Sequence, residues 1–248
     1  MLRHSHVTLA CGLAACLVAL SPAASAGTFS ISPLRVDFSG PRTTAALTVR
    51  NEDASAVVVQ AEGMAWSQPG GEDTLTASRD LLVSPAVFTL APGAQQLVRV
   101  ALRRVPDPAR ELSYRLIVQE VPQAAAPEFT GLRVALRLSV PVFVAAGEPG
   151  APALAWSARR EPDGALAVTA RNDGPVHARV QRFAVHAGDT TVAGQPSLAY
   201  VLPGASRRWT FPASGDTAPP TAWPTTPYRL EGLTDRGPFA TELPLERE

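Results

Sequence analysis

The chain has 248 residues, of which 24 are proline and 18 glycine, and its 22 basic side chains balance 22 acidic ones. A net charge of zero argues against a nucleic-acid footprint or a basic membrane-binding face. Proline and glycine at this density favour short elements with many turns, and the length suffices for two small domains.

Residues 1–26 read as a secretory signal. Arg3, His4 and His6 form a weakly positive start, Val7 to Leu20 an apolar run too short to span a membrane with ease, and Ala24-Ser25-Ala26 an A-x-A cleavage site. A rival reading takes Leu13-Ala14-Ala15-Cys16 as a lipoprotein box with Cys16 as its anchor. Both readings export the chain. The two cysteines, Cys11 and Cys16, fall inside the signal, so cleavage after Ala26 leaves a mature protein without disulfides or thiolate chemistry.

Past the signal the sequence reads as strand after strand. Thr28 to Phe38 forms the first, with a kink at Pro33; Ser39-Gly40-Pro41 turns the chain into a second strand, Ala46 to Arg50. Strands follow at Ala56–Met64, Asp80–Val87, Gln96–Arg103 and Leu112–Glu120, with Asn51-Glu52-Asp53 and Leu90-Ala91-Pro92-Gly93 as turns. Pro122 to Thr130 is small, polar and proline-bearing, as expected of a loop.

Gly131 to Val144 then reads as one long strand. Leu132, Val134, Leu136, Leu138, Val140 and Val142 share one face, and Arg133, Arg137, Ser139 and Pro141 the other. Pro141 has no N–H to give to a ladder, which places that part of the strand at a sheet edge. A long apolar edge is an aggregation hazard that proteins normally blunt. Here it reads as an edge kept open for another chain.

The second half repeats the first. Ala46–Gln60 aligns without gaps on Ala167–Gln181, which superposes Asn51 on Asn172, the only asparagines in the chain; Pro92-Gly93-Ala94 is echoed by Pro203-Gly204-Ala205. The organisation expected is all-β: a signal at 1–26, an immunoglobulin-like sandwich at 27–145, a linker at 146–152 and a second immunoglobulin-like sandwich at 153–248.

Catalytic signals are absent. His177 and His186 read as sheet-surface residues; no histidine pair has metal-ligand spacing, no Gly-x-Ser-x-Gly elbow occurs, and no glycine-rich loop opens a helix. The expectation is a non-enzymatic protein with no metal and no small-molecule cofactor. The arginines carry more information, because the chain has no lysine. Arg35, Arg133 and Arg137 sit on strands where a solvated face is the ordinary explanation. Arg115, between Tyr114 and Leu116 in an otherwise apolar strand, needs a partner or a cleft, and a guanidinium suits a carboxylate.

Phe29–Phe38, Ser113–Pro122 and Leu132–Phe143, in this order and spacing, resemble the periplasmic chaperones of the chaperone–usher pilus pathway. The pattern Tyr114-Arg115-Leu116 with Glu120-x-Pro122, and Ser139-Val140-Pro141-Val142, is more similar to the archaic branch of that family. The resemblance implies an L-shaped pair of sandwiches, pilin subunits and an outer-membrane usher as partners, and donation of the edge strand to an incomplete pilin fold. The donor residues would be Leu132, Val134, Leu136 and Leu138. In better-known members an arginine of the first strand and a lysine of the edge strand hold the client's C-terminal carboxylate. Arg35 matches that arginine, but Pro141 stands at the lysine position. The anchor expected here is therefore Arg115, with Arg35 and Arg137 as second choices. Self-association of the free chaperone through its edge stays open, and the rival function is a generic exported adhesion or structural protein whose strand pairs within its own sheet.

Overall fold

A computed structural model describes residues 29–122, 134–195, 198–212 and 227–245. The first sandwich has one sheet ordered β1 (Phe29–Ser32), β3 (Thr44–Asn51), β8 (Gln95–Leu102), β6 (Leu81–Ser84). Its second sheet is ordered β2 (Val36–Phe38), β10 (Arg137–Val144), β9 (Leu112–Glu120), β4 (Val57–Ser67), β5 (Thr74–Ala77), with β7 (Val87–Leu90) also paired to β4. Period-two alternation fills the space between them. Leu47 and Val49 from β3, Val98 and Val100 from β8, Leu116 and Val118 from β9, and Val140 and Val142 from β10 all point into one core. Each such side chain stabilises the fold by roughly 1.5–3 kcal/mol before chain entropy is subtracted.

The second sandwich repeats the plan with β11 (Leu154–Arg160), β12 (Leu166–Asn172) and β16 (Ser206–Phe211) in one sheet. The other contains β14 (Thr190–Gln195), β13 (Ala178–Ala187), β17 (Tyr228–Thr234) and β18 (Gly237–Leu243), and β15 (Ala199–Val201) pairs β13. Its core is separate and built around Trp156, Phe183 and Trp209. The chain thus forms two immunoglobulin-like sandwiches.

The aligned asparagines occupy one structural niche twice. Asn51 and Asn172 are both fully buried. The Asn51 amide donates to the carbonyls of Ser55, Leu90 and Ala91 while its oxygen accepts from Asp53 N–H. Asn172 donates to Val176 and Val201 and accepts from Ala153 and Gly174 N–H. Each backbone N–H bonds the alanine of its Pro-Gly-Ala turn, Ala94 or Ala205, at 2.9 Å. The middle residues, Gly93 and Gly204, have φ of 69° and 72°, a region that a side chain rarely tolerates.

Four elements differ from the sequence reading. The first strand divides at Pro33: β1 pairs antiparallel with β3, while β2 pairs parallel with β10, so the chain crosses from one sheet to the other. Pro33 offers no N–H to continue the first ladder. The Asp80–Val87 strand divides likewise at Pro85, with β6 on β8 and β7 on β4, and β5 was not anticipated. The long edge strand begins at Arg137, although Glu120 N–H still reaches the Leu136 carbonyl at 2.9 Å. Parallel β2 covers only Val142 to Val144 of β10. Among the described residues, the flank from Arg137 to Pro141 has no second strand against it. Residues 1–28, including the expected signal, lie outside the described residues.

Candidate functional site

The outer face of the β2–β10–β9–β4–β5 sheet meets the second sandwich. Register puts Pro141 opposite Arg115 and Arg115 opposite Met64. Trp66 and Phe143 lie two residues further along their strands and so share that face with Arg115. The second sandwich contributes Tyr200 and Leu202, and Trp66, Phe143 and Leu202 are buried together as a cluster distinct from either core. Trp66 lies 6.0 Å from Phe143 and meets Tyr200 edge-on at 5.4 Å, measured between ring centres. Gln68 ties the halves together: it donates to the Tyr200 carbonyl and accepts from Leu202 N–H, both at 2.9 Å.

A second tie runs through Glu111 and His177. The sequence reading placed His177 on a sheet surface; it is instead only 3% exposed. Its Nδ1 lies 2.6 Å from Glu111 Oε1, which also accepts from the His177 backbone N–H at 3.2 Å. The imidazole stacks on Phe143 at 3.6 Å. His177 leaves the surface because the loop before β13 turns it toward the other sandwich, a contact that strand periodicity does not encode. His186, in β13, is part-exposed and 3.2 Å from Thr191 Oγ1.

Arg115 is half-buried, and its guanidinium carbon sits 3.6 Å from the Trp66 ring centre and 5.4 Å from that of Tyr200. Burial pulls its pKa below the ordinary arginine value, against the charge of Asp73, yet a guanidinium remains protonated. No carboxylate forms an ion pair with it among the described residues. Asp73, the acid whose charge acts on it, is engaged elsewhere. Its Oδ1 accepts from Trp66 Nε1 and Gln68 Nε2, each at 2.9 Å, and its Oδ2 lies 3.3 Å from Arg207 Nη1.

The other arginines differ. Arg35, just before β2, forks onto Asp37, with Nε 2.8 and 2.9 Å from the two oxygens and Nη2 2.7 Å from Oδ1. Burial lowers its pKa, but the hydrogen bond and charge of Asp37 outweigh this and hold it above the ordinary value. Its guanidinium lies 5.1 Å from the Phe143 ring centre, so it belongs to the same cluster as Arg115. Arg137 does not. It is exposed at the start of β10, four residues from Pro141 and so roughly 13 Å along the strand at ~3.3 Å per residue.

Of the proposed donor residues, Leu132 lies outside the described residues. Val134 is 63% exposed, while Leu136 and Leu138 are partly buried against the chain's own core. Among the described residues no group of three or more acidic, histidine or cysteine side chains is placed to hold a metal ion. Sequence reasoning missed Trp66, Asp73, Tyr200 and the Glu111–His177 pair. Their local patterns are those of ordinary sheet residues, and only the docking of one sandwich on the other brings them together.

Residues 28–146 match the family model described as "Pili and flagellar-assembly chaperone, PapD N-terminal domain". No curated protein matches the chain in sequence. Among solved structures, the chain is similar to one in the CsuC–CsuE chaperone–tip adhesion subunit pre-assembly complex from archaic chaperone–usher Csu pili of Acinetobacter baumannii. That match has a TM-score of 0.65 at 21% identity and covers 89% of this chain and 100% of that one. The Salmonella enterica SafA pilin–SafB chaperone complex contains a chain similar at TM-score 0.58 and 19% identity, covering 87% and 96%. The E. coli chaperone DraB is similar at 0.54 and 17%, covering 88% and 97%. At these identities the structures speak for the shared two-sandwich fold. Residues 28–146 are thus identified as a PapD-type N-terminal domain of the pili and flagellar-assembly chaperones.

Proposed function

We propose that the protein is a periplasmic chaperone of the archaic chaperone–usher type, which folds and caps pilin subunits by lending them the edge of β10 and passes them to an outer-membrane usher. One observation carries this reading: among the described residues, the flank of β10 from Arg137 to Pro141 has no second strand against it and lies on the sheet whose Arg115 has no acid partner. An open edge supplies backbone donors and acceptors for a client strand, and Val134, Leu136 and Leu138 set its register. Arg115 receives the client's terminal carboxylate. Arg35 is a weaker candidate because Asp37 already occupies its fork. Arg137 is too far along the strand to share the same carboxylate. The pairing of related folds with a tip subunit and with SafA pilin in solved complexes supports this kind of partner.

The chaperone family supports an exported location and a non-enzymatic role. Residues 1–26 serve as the signal, 27–145 as the client-binding domain, 146–152 as the linker and 153–248 as the second domain in this reading. The test is co-expression in the periplasm with a pilin from the same pilus system, followed by affinity capture. A stable one-to-one complex supports the reading; pilin that is equally soluble and folded without the chaperone overturns it.

A further inference from the structure

Among the described residues Arg115 has no ion-pair partner, which needs an explanation, because a half-buried charge normally draws in an acid. Asp73 is the acid whose charge acts on Arg115, and each of its oxygens already has a partner. Trp66 Nε1 and Gln68 Nε2 hold Oδ1 at 2.9 Å, and Arg207 from the second sandwich holds Oδ2 at 3.3 Å. Arg207 Nη1 also reaches the Gly71 carbonyl at 3.5 Å, which fixes its own direction. The same indole that donates to Asp73 offers its face to Arg115 at 3.6 Å. A ring face attracts a cation without using its N–H donors. The guanidinium thus sits over the indole, and among the described residues no carboxylate pairs with it.

We propose that Arg207 is a positioning residue that keeps Asp73 turned away from Arg115, so that the guanidinium stays available for a carboxylate arriving from outside the chain. This rests on Arg115 being the carboxylate anchor. The arrangement joins both sandwiches: Trp66, Gln68, Asp73 and Arg115 come from the first, Arg207 and Tyr200 from the second. The docking of the two therefore arms the anchor. Without Arg207, the freed Oδ2 of Asp73 turns to Arg115, and the site is filled from within.

The test follows the Arg115 Nε–H resonance of the isotopically labelled protein, assigned by its loss in Arg115→Lys, during titration with acetate against equal sodium chloride. In the wild type acetate shifts the resonance and chloride does not. In Arg207→Ala the resonance is already displaced before acetate is added, and its response to acetate falls at least about tenfold, the scale of one charge-assisted hydrogen bond. Adding Asp73→Asn to Arg207→Ala returns both the starting position and the response to wild-type values. If acetate leaves the wild-type resonance unmoved, Arg115 is not a carboxylate anchor and the proposal falls with that reading. If the wild type responds and Arg207→Ala responds equally, Arg115 keeps its role and Arg207 has none. If the response falls with no displacement in the acetate-free spectrum, Arg207 acts only through its long-range field, and the positioning role is overturned. A double variant that stays unresponsive overturns it as well.

Discussion

His177 Nδ1 lies 2.6 Å from Glu111 Oε1, and both side chains are shut away from water between the two sandwiches, at 3% and 7% exposure. The imidazole is pinned a second way by stacking on Phe143. Glu111→Ala removes the acceptor for two N–H groups, one of them backbone. It should cost about 1–3 kcal/mol. The loss should appear in the angle between the sandwiches as well as in the melting midpoint, because the bond spans them. Small-angle scattering that matches the wild type, together with an unchanged midpoint, would show that the tie contributes nothing.

The edge residues should separate by their role in the free protein. Val134 is exposed, so Val134→Asp should leave the chaperone's melting midpoint unchanged while strongly reducing recovery of a co-expressed pilin. Leu136 and Leu138 pack on the chain's own core, so the same change there should cost stability, by roughly 2 kcal/mol, along with client capture. Equal pilin yield from Val134→Asp would remove it from the donor surface.

The arginines should rank by their existing partners. Arg115→Ala should weaken capture of a pilin with a free C-terminus about tenfold or more, the scale of a charge-assisted hydrogen bond of ~1.5–3 kcal/mol. Arg35→Ala should cost less, since its fork is already spent on Asp37. Arg137→Ala, exposed and distant, should change little. Complex yields in the reverse order would assign the anchor to the first strand instead.

Tyr114 predicts an alkaline limit to stability. Its hydroxyl donates to Asp80 Oδ2 at 2.8 Å. Burial first, then the hydrogen bond and charge of Asp80, push its pKa up in the folded state. A raised folded pKa means stability that is complete below the unfolded value of ~10 and is lost as pH rises through the folded one. Tyr114→Phe should cost about 1.5–3 kcal/mol at neutral pH. The gap between variant and wild type should narrow above about pH 10, as measured by denaturant unfolding across pH. A gap constant to strongly alkaline pH would count against the Asp80 bond as its source.

The paired asparagines predict matched effects in separate halves. Asn51→Ala and Asn172→Ala each orphan several buried backbone groups, at about 2–4 kcal/mol. Hydrogen exchange should rise around β3 and the Leu90–Ala94 turn in one variant, and around β12 and the Leu202–Ala205 turn in the other. Exchange that spreads equally through both sandwiches in either variant would contradict two independent cores.

The strand-rich class and the repeat were legible because they are local and periodic. Alternation at two residues marks which side chains of β3, β9 and β10 turn inward, and Asn51 and Asn172 sit in turns whose chemistry recurs with the same spacing. Arg115 was legible too, since a lone charge in an apolar strand has to be accommodated somewhere. The crossing of the chain at Pro33 and Pro85 was not, because a proline ends one ladder without saying which sheet takes the next strand. The length of the uncovered edge depended on where β2 landed, only beside Val142–Val144. Whether Arg115 was paired or free was decided entirely by the tertiary structure. Arg207 and Tyr200 are far from Asp73 and Arg115 in sequence, and only the docking of the two sandwiches sets Arg207 against the Asp73 carboxylate and Tyr200 beside the Arg115 guanidinium.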